Sequence, residues 1–426
     1  MHPIYSPSTS AKKVIIVGGG PAGLMAAEVL IKAGLQVHLY DAKASVGRKF
    51  LIAGKGGMNL THSEPLAEFL LRYYDKSTWL APMLQQFGPA QMRDWAKGLG
   101  VETFVGSSGR VFPLDMKAAP LLRAWVRRLR HAGVVFHTQA RWIGWDTSAS
   151  AGRQALFSFA ETARHESEPT HVSYDAMLLA LGGGSWAKLG SDGQWQSILR
   201  EAGVDISPLE PANCGFEVAW TEHLRSRFAG EPLKQVTLEC VDDEGKPVAR
   251  KGEFVITERG VEGSLIYAQS RWIRRALVKS APVTVYLDLA PDLSAEKLAQ
   301  VLAKPSRGKS IASVLKSRLG IQGVRAALLR ECAPASAFTQ PQSLVSYIKR
   351  LPLQIARTHP IDEAISSAGG VTVNAVNEQL MLHKLPGVFC AGEMLDWEAP
   401  TGGYLFTASF ATGYAAACGM IDYVKS

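Results

Sequence analysis

Gly18, Gly20 and Gly23 stand at the spacing G-x-G-x-x-G, with Pro21 and Ala22 between the second and third. An acid, Asp41, follows twenty-three residues after the first. Residues of these types at this spacing can hold a diphosphate. The first glycine permits a tight turn, the second lets a pyrophosphate approach the backbone, and the third lets a helix pack close to a strand. Phosphate charge then meets the unpaired N–H groups and the positive dipole end of the helix. Asp41, followed by Ala42 and Lys43, stands where an acid accepts hydrogen bonds from the adenosine ribose hydroxyls.

That chemistry needs a strand before the glycines and a helix after them. Val14–Val17 is a continuous apolar run suited to a buried parallel strand, Ala22–Ala33 has helical apolar spacing, and Val37–Tyr40 begins a second strand. With its context complete, the segment is expected to bind a dinucleotide, and the fingerprint alone leaves FAD and NAD as alternatives. Near the other end of the chain, Gly387–Ala391 reads as one more buried parallel strand ending at Gly392, with Glu393 beyond it. Thr401, Gly402, Gly403, Tyr404 and Leu405 then lead into an apolar helix rich in small residues.

A chain of 426 residues exceeds what one core usually supports, so two or three domains are expected. Its 47% hydrophobic and 20% charged residues are ordinary globular composition. Five scattered cysteines without a C-x-x-C pair argue against a disulfide framework, a zinc site or any other metal centre of that kind, and a dithiol redox centre. A reducing cytoplasm fits this usage. The start of the chain has no secretory signal pattern. Val14–Ile31 passes for a membrane span by hydropathy, but the fingerprint occupies the same residues, so no membrane association is expected. The net charge of +8 is concentrated: between Ser294 and Arg357, eleven basic residues face two acidic ones, a local balance of +9.

Further runs follow in order: SVGRKFLIAGKGGMNLTHSE after Asp41, GRVFP at Gly109–Pro113, ALGGGSWAKLGSDG from Ala180, GEFVITERGVEGSLIYAQS from Gly252, SSAGGVTV from Ser366 and AGEMLDWEAPTGGYLFTASFATGYA from Ala391. Together they resemble a family of bacterial FAD-dependent flavoproteins, the NAD(P)/FAD-dependent oxidoreductases related to the bile-acid-inducible dehydro-bile-acid reductase. The resemblance spans nearly the whole chain. It implies an α/β fold: a Rossmann-like, glutathione-reductase-type FAD domain with an inserted small antiparallel β-barrel and a helical insert. The expected bounds are 12–200 with 385–426 for the FAD domain, 201–293 with 352–384 for the barrel and 294–351 for the basic helical insert. Independently, KQVTLECVD and APVTVYLDL alternate as antiparallel strands do, and SAEKLAQVLA and KSIASVLKSRLG have helical spacing.

The resemblance also implies which residues face the cofactor. After Gly47, Arg48 and Lys49 neutralise the pyrophosphate, while Lys55, Gly56, Gly57 and Asn59 offer a charge and backbone donors to the polar edge of the ring. Many relatives have Gly-Gly-Gly-Arg-Cys-Asn where this chain has Gly-Lys-Gly-Gly-Met-Asn, so roles of that arginine and cysteine do not carry over. Glu393 stands where flavoproteins of this class often have Gly-Asp to hold the ribityl chain or a phosphate. The N–H groups from Gly402 to Leu405 are expected to face the flavin N1 and C2 carbonyl, where negative charge accumulates on reduction.

Without a C-x-x-C pair, disulfide reduction is not expected. Gly182–Gly184 are followed by Ser-Trp-Ala and make no second fingerprint, so NAD(P)H is expected only as a transient reductant near the flavin. The remaining chemistry is hydride transfer to a conjugated carbon–carbon double bond, with a proton from an acid able to reach the substrate. Tyr404, Glu398, His62 and Glu262 are candidates for that acid by motif position, and Arg110 is a candidate contact. The basic insert suggests two alternatives. One is a reductase acting on uridine in structured or ribosomal RNA, since a lobe of this charge draws a polyanion by counterion release. The other is a non-catalytic, FAD-stabilised protein that binds nucleic acid or ribosomes. A merely solvated basic face is the plain reading of the same residues.

Overall fold

The computed structural model describes residues 12–53, 56–146, 154–159, 168–305, 308 and 310–426. The chain divides into two compact units, Met1–Glu210 with Ser366–Ser426, and Pro211–Ile365.

The first unit is built on a five-stranded parallel sheet ordered Val388–Cys390, Ala176–Leu179, Lys13–Val17, Gln36–Asp41, Val135–Thr138. Val14, Ile15 and Ile16 are wholly buried, as expected for a central strand covered on both faces. Pro21 opens the helix Pro21–Lys32 at a position where its missing N–H costs nothing. The C-terminal helix Tyr404–Lys425 packs on that helix so closely that a Cβ on Gly413 would lie 2.3 Å from the Ala22 carbonyl oxygen. The same helix buries Phe410 against Trp125 (5.0 Å between ring centroids) and Trp95 (4.8 Å). Burying rings of this size contributes about 1.5–3 kcal/mol each. Trp125 comes from the helix Ala118–His131, whose polar face is basic and whose Leu121, Leu122 and Leu129 are buried in the same core.

The second unit carries a seven-stranded antiparallel sheet ordered Leu351–Ile355, Val283–Asp288, Pro232–Val241, Pro247–Ile256, Gly260–Glu262, Phe216–Glu217, Arg357–Thr358. Its first and last strands are consecutive in the chain, so the run 351–358 joins both edges and the sheet closes on itself, as the expected barrel does. The helix Ser264–Lys279 packs Leu265, Ile266 and Ile273 into its core. The expected helical insert forms Ala295–Ala303, Ile311–Leu319, Gly323–Cys332 and Pro341–Lys349. Its Leu298, Leu315, Leu328 and Ile348 belong to one hydrophobic core with Leu238, Leu287 and Leu353 of the sheet. Insert and sheet are therefore one unit, because neither helices nor strands bury their apolar faces alone.

The bounds also differ from those read in the sequence. Residues 366–384 lie in the first unit because Ser366–Val371 pairs with Ile206–Ala212, and Val371 bridges to Leu395. Gly369 makes this approach possible: its φ is +80°, and a Cβ there would meet the Pro208 carbonyl oxygen at 2.0 Å.

Candidate functional site

Three loops leave the carboxyl ends of adjacent parallel strands in the first unit: Gly18–Gly20 after Lys13–Val17, Gly182–Gly184 after Ala176–Leu179, and Ala391–Glu393 after Val388–Cys390. This is the edge where open parallel sheets bind ligands. Each fingerprint glycine has its own reason. Gly18 has φ +107°, and a Cβ would strike the Ala180 carbonyl oxygen at 2.2 Å. A Cβ on Gly23 would lie 2.0 Å from the Gly18 carbonyl oxygen, so only glycine lets the helix sit on the turn. A Cβ on Gly20 would meet nothing within 4 Å, so this face of the backbone is open to a ligand.

Asp41 does more than end its strand. Its Oδ2 accepts the Gly19 N–H at 2.9 Å and its Oδ1 accepts the Lys43 N–H at 2.8 Å, so the carboxylate braces the glycine turn. Each oxygen keeps a further lone pair for a ribose hydroxyl. Burial pushes its pKa up, against those two hydrogen bonds and the Arg48 charge. Gly47 donates its N–H to the Gly19 carbonyl at 2.8 Å, which seats the helix Arg48–Ala53 beside the turn. The Arg48 Nε is buried without a hydrogen-bond partner. An unpaired guanidinium N–H next to an open glycine turn matches the charge and donor needs of a pyrophosphate.

Lys49 has a protein partner: its Nζ donates to Glu393 Oε2 at 2.8 Å and to Ser185 Oγ at 2.9 Å. The other Glu393 oxygen accepts the Ser367 N–H at 2.8 Å. Gly392, with φ +81°, packs against Ala22 and donates to Thr412 Oγ1 at 2.9 Å. Ala22, in the first glycine-rich segment, thus packs against Gly392 and Gly413 of the second. Lys55 lies outside the described residues. A Cβ on Gly56 would also meet open space, whereas Gly57 packs on Met116. Asn59 uses its amide to donate to the Thr61 and Val111 carbonyls, which holds the segment rather than a ligand.

Gly402 (φ +136°) and Gly403 (φ +94°) turn the chain into the helix Tyr404–Lys425. The N–H groups of Tyr404, Leu405 and Phe406 precede the first intrahelical bond, from Thr407 to Gly403, and so point out of the helix. A Cβ on Gly403 would lie 2.4 Å from Thr61 Cα, and Thr61 Oγ1 and Thr407 Oγ1 lie 2.8 Å apart.

Of the four candidate acids, the structure brings two together: the His62 and Tyr404 rings stack at 5.5 Å. Glu398 is buried in the first unit, and Glu262 lies in the second, near Tyr267. Two residues not singled out in the sequence complete the group around Tyr404. Glu64 takes Arg72 Nε at 3.1 Å and Arg72 Nη2 at 2.6 Å, and its carboxylate lies close enough to the Tyr404 phenol to shift that group's ionisation. Burial and the neighbouring Glu64 carboxylate push the Tyr404 pKa well above the ordinary phenol value. His62 Nδ1 accepts the Glu64 N–H at 3.2 Å and its Nε2 donates to the Ser108 carbonyl at 3.0 Å, the pattern of a neutral ring. Arg110 is the cross-strand neighbour of His62. Glu64 closes the run that follows Asp41 and Arg72 ends a short apolar helix, but eight residues apart neither signals the other.

Gly182–Gly184 form a packed turn: Trp195 Nε1 donates to the Gly182 carbonyl at 2.9 Å, Ser191 to the Gly183 carbonyl at 3.0 Å, and the Gly184 N–H to Ser367 Oγ at 2.7 Å.

The basic insert is less free than its charge suggests. Arg318 donates to the carbonyls of Val301, Lys304 and Pro305, and Arg325 to that of Lys234. Lys349, Arg350 and Arg357 pair with Asp288, Glu239 and Glu217, acids that precede Ser294. Lys297, Lys304, Lys316 and Arg330 are exposed, and Arg307 and Lys309 lie outside the described residues.

A family profile described as the HI0933-like protein Rossmann domain matches residues 12–419. The 3-dehydro-bile acid delta(4,6)-reductase of Clostridium scindens is 27% identical over 95% of this chain and 98% of its own. The ribosomal RNA dihydrouridine synthase of Escherichia coli is 23% identical over 96% of this chain and 97% of its own. Among solved structures, 3-ketosteroid delta1-dehydrogenase from Sterolibacterium denitrificans, in complex with 1,4-androstadiene-3,17-dione, has the same fold. It matches with a TM-score of 0.52 at 12% identity, covering 97% of this chain and 100% of its own.

Proposed function

This chain belongs to the HI0933-like Rossmann-domain family and is an FAD-dependent oxidoreductase, and from that premise we propose that it reduces a conjugated carbon–carbon double bond. The observation that carries the reading is the likeness to the delta(4,6)-reductase over 95% of the chain, on a unit whose open glycine turn and unpaired arginine suit FAD. When bound, FAD supplies hydride chemistry, and the protein supplies position, charge and a proton.

In this reading Gly18, Gly20 and Gly23 seat the pyrophosphate, Arg48 Nε donates to it, and Asp41 holds the turn and takes a ribose hydroxyl. The outward N–H groups of Tyr404 and Leu405 meet the polar edge of the flavin, where they stabilise negative charge. Lys49 and Glu393 fix the two loops against each other. Tyr404 also holds the helix start, and Tyr404, His62, Glu398 and Glu262 are the candidate donors of the proton. The packed Gly182–Gly184 turn supports NAD(P)H as a transient reductant. A cytoplasmic location is supported by five free cysteines. The helix Tyr404–Lys425 is long and apolar enough to cross a membrane, but 67% of its most apolar window is buried inside the protein.

A second reading has the same site act on uridine in structured RNA. It is favoured by the exposed Lys297, Lys304 and Lys316 and by the likeness to the dihydrouridine synthase. The test is anaerobic: the FAD-loaded protein is reduced by NADH or NADPH, and its absorbance followed on adding 1,4-androstadiene-3,17-dione, simpler enones, or unmodified ribosomal RNA. Reoxidation by an enone is the expected result. Reoxidation by RNA alone, with dihydrouridine formed, replaces the first reading with the second, and bound flavin that no oxidant of either class restores overturns both.

A further inference from the structure

We propose that Glu64 and Arg72 are positioning residues that set the electrostatic potential at the start of the helix Tyr404–Lys425, and thereby the balance of affinities for oxidised and reduced FAD. The inference rests on the reading that this helix start faces the flavin.

The Glu64 side chain is 7% exposed, and Arg72 grips it through two nitrogens, the fork geometry that fixes a carboxylate in orientation as well as distance. Tyr404, the first residue of the helix, is held from every side by the same short segment. Its ring lies 5.9 Å from the Arg72 guanidinium carbon, and His62 and Phe69 flank it at 5.5 and 4.9 Å. Its carbonyl accepts the Tyr73 hydroxyl at 2.8 Å. Two full and opposite charges therefore stand beside a helix end that already carries about half a positive charge.

Packing alone does not explain the pair. Apolar residues of similar volume usually fix a helix as well as a buried ion pair does, without the desolvation cost. What the pair adds is a field. Together the charges nearly cancel at a distance, and removing one exposes the other: a bare Glu64 is shielded from solvent, and a bare Arg72, 35% exposed, is partly screened. Reduction adds negative charge to the flavin edge. A bare Arg72 favours the reduced form, and a bare Glu64 opposes it.

The experiment uses the FAD holoprotein with Glu64→Gln, Arg72→Gln and the double substitution, and measures the flavin midpoint potential and the dissociation constant of oxidised FAD. Glu64→Gln is expected to raise the potential and Arg72→Gln to lower it. Each shift corresponds to about a tenfold change in the ratio of affinities, about 30 mV for a two-electron couple. The double variant returns toward the parent. Shifts of the same sign, or none with FAD still bound, overturn the inference alone; a parent protein that takes up no FAD overturns the functional reading with it. If a glutamine variant does not fold, Glu64→Asp and Arg72→Lys carry the test. They keep the charges, so the potential must stay in place while the melting temperature falls, and a potential that follows the melting temperature counts against the proposal.

Discussion

Lys49 Nζ donates to Glu393 Oε2 at 2.8 Å across 344 positions of sequence. The bond ties the helix after the fingerprint to the turn after the last parallel strand, and both side chains are largely shielded, at 26% and 15% exposure. Lys49→Met removes the charge and leaves the carboxylate with only the Ser367 N–H. The expected loss is about 1–3 kcal/mol of stability with weaker FAD binding. Glu393→Gln leaves one acceptor oxygen for two donors and sets its NH2 against the other, so it is expected to cost at least as much. Urea midpoints and flavin titrations of the two variants check the order.

Gly20 and Gly23 separate binding from folding. Gly20→Ala adds a methyl to open space, so the melting temperature should hold while FAD affinity falls by about tenfold, roughly 1.4 kcal/mol. Gly23→Ala drives a methyl into the Gly18 carbonyl and is expected to destabilise the unit by about 1–3 kcal/mol before any question of binding. Equal melting temperatures for the two variants would contradict the assignment.

Glu28 gives the first unit an acid limb. It is buried, and its carboxylate takes Lys32 and Arg128 at 2.8 Å each, Trp125 Nε1 at 2.8 Å and Trp95 Nε1 at 3.2 Å. Burial pushes its pKa up, but the hydrogen bonds and charges of Lys32 and Arg128 outweigh that and hold it below the usual carboxylate range. With the folded value below the unfolded one, its contribution is complete above about pH 4.5 and is lost as pH falls through the folded value. Glu28→Gln is expected to cost about 3 kcal/mol near neutral pH and to flatten the stability curve below pH 5. Denaturant midpoints from pH 7 to pH 3 measure both.

The insert separates charge from architecture. Lys297→Glu, Lys304→Glu and Lys316→Glu together leave the fold intact and should not change reoxidation by an enone. If RNA is the substrate they weaken its binding and reduce the salt slope by about 0.7–0.9 for each phosphate that is no longer neutralised. Arg318→Glu is expected to destabilise the second unit, because three carbonyls lose their donor. Filter binding across a salt series, alongside thermal melts, reads both effects.

The nucleotide turn was legible in the sequence because its constraints are local. A strand, a turn and a helix within thirty residues leave few residue types able to fill each place, and Gly18, Gly20 and Gly23 proved to have the three distinct surroundings that their spacing predicts. The alternating strands and the helical insert were legible for the same reason, since periodicity is written in consecutive residues.

The rest depended on partners far apart in the chain. That Ser366–Val371 pairs with Ile206–Ala212, that the insert shares one core with the antiparallel sheet, and that Arg318, Arg325, Lys349, Arg350 and Arg357 have structural partners follow from long-range packing that no local pattern encodes. Sequence by itself determined which chemistry the first unit must accommodate, because glycines, acid and helix start act over a few residues. Only the tertiary structure decided that Glu64 and Arg72 surround Tyr404 and that Lys49 meets Glu393, because an ion pair is set by distance in space, and spacing along the chain carries no record of it.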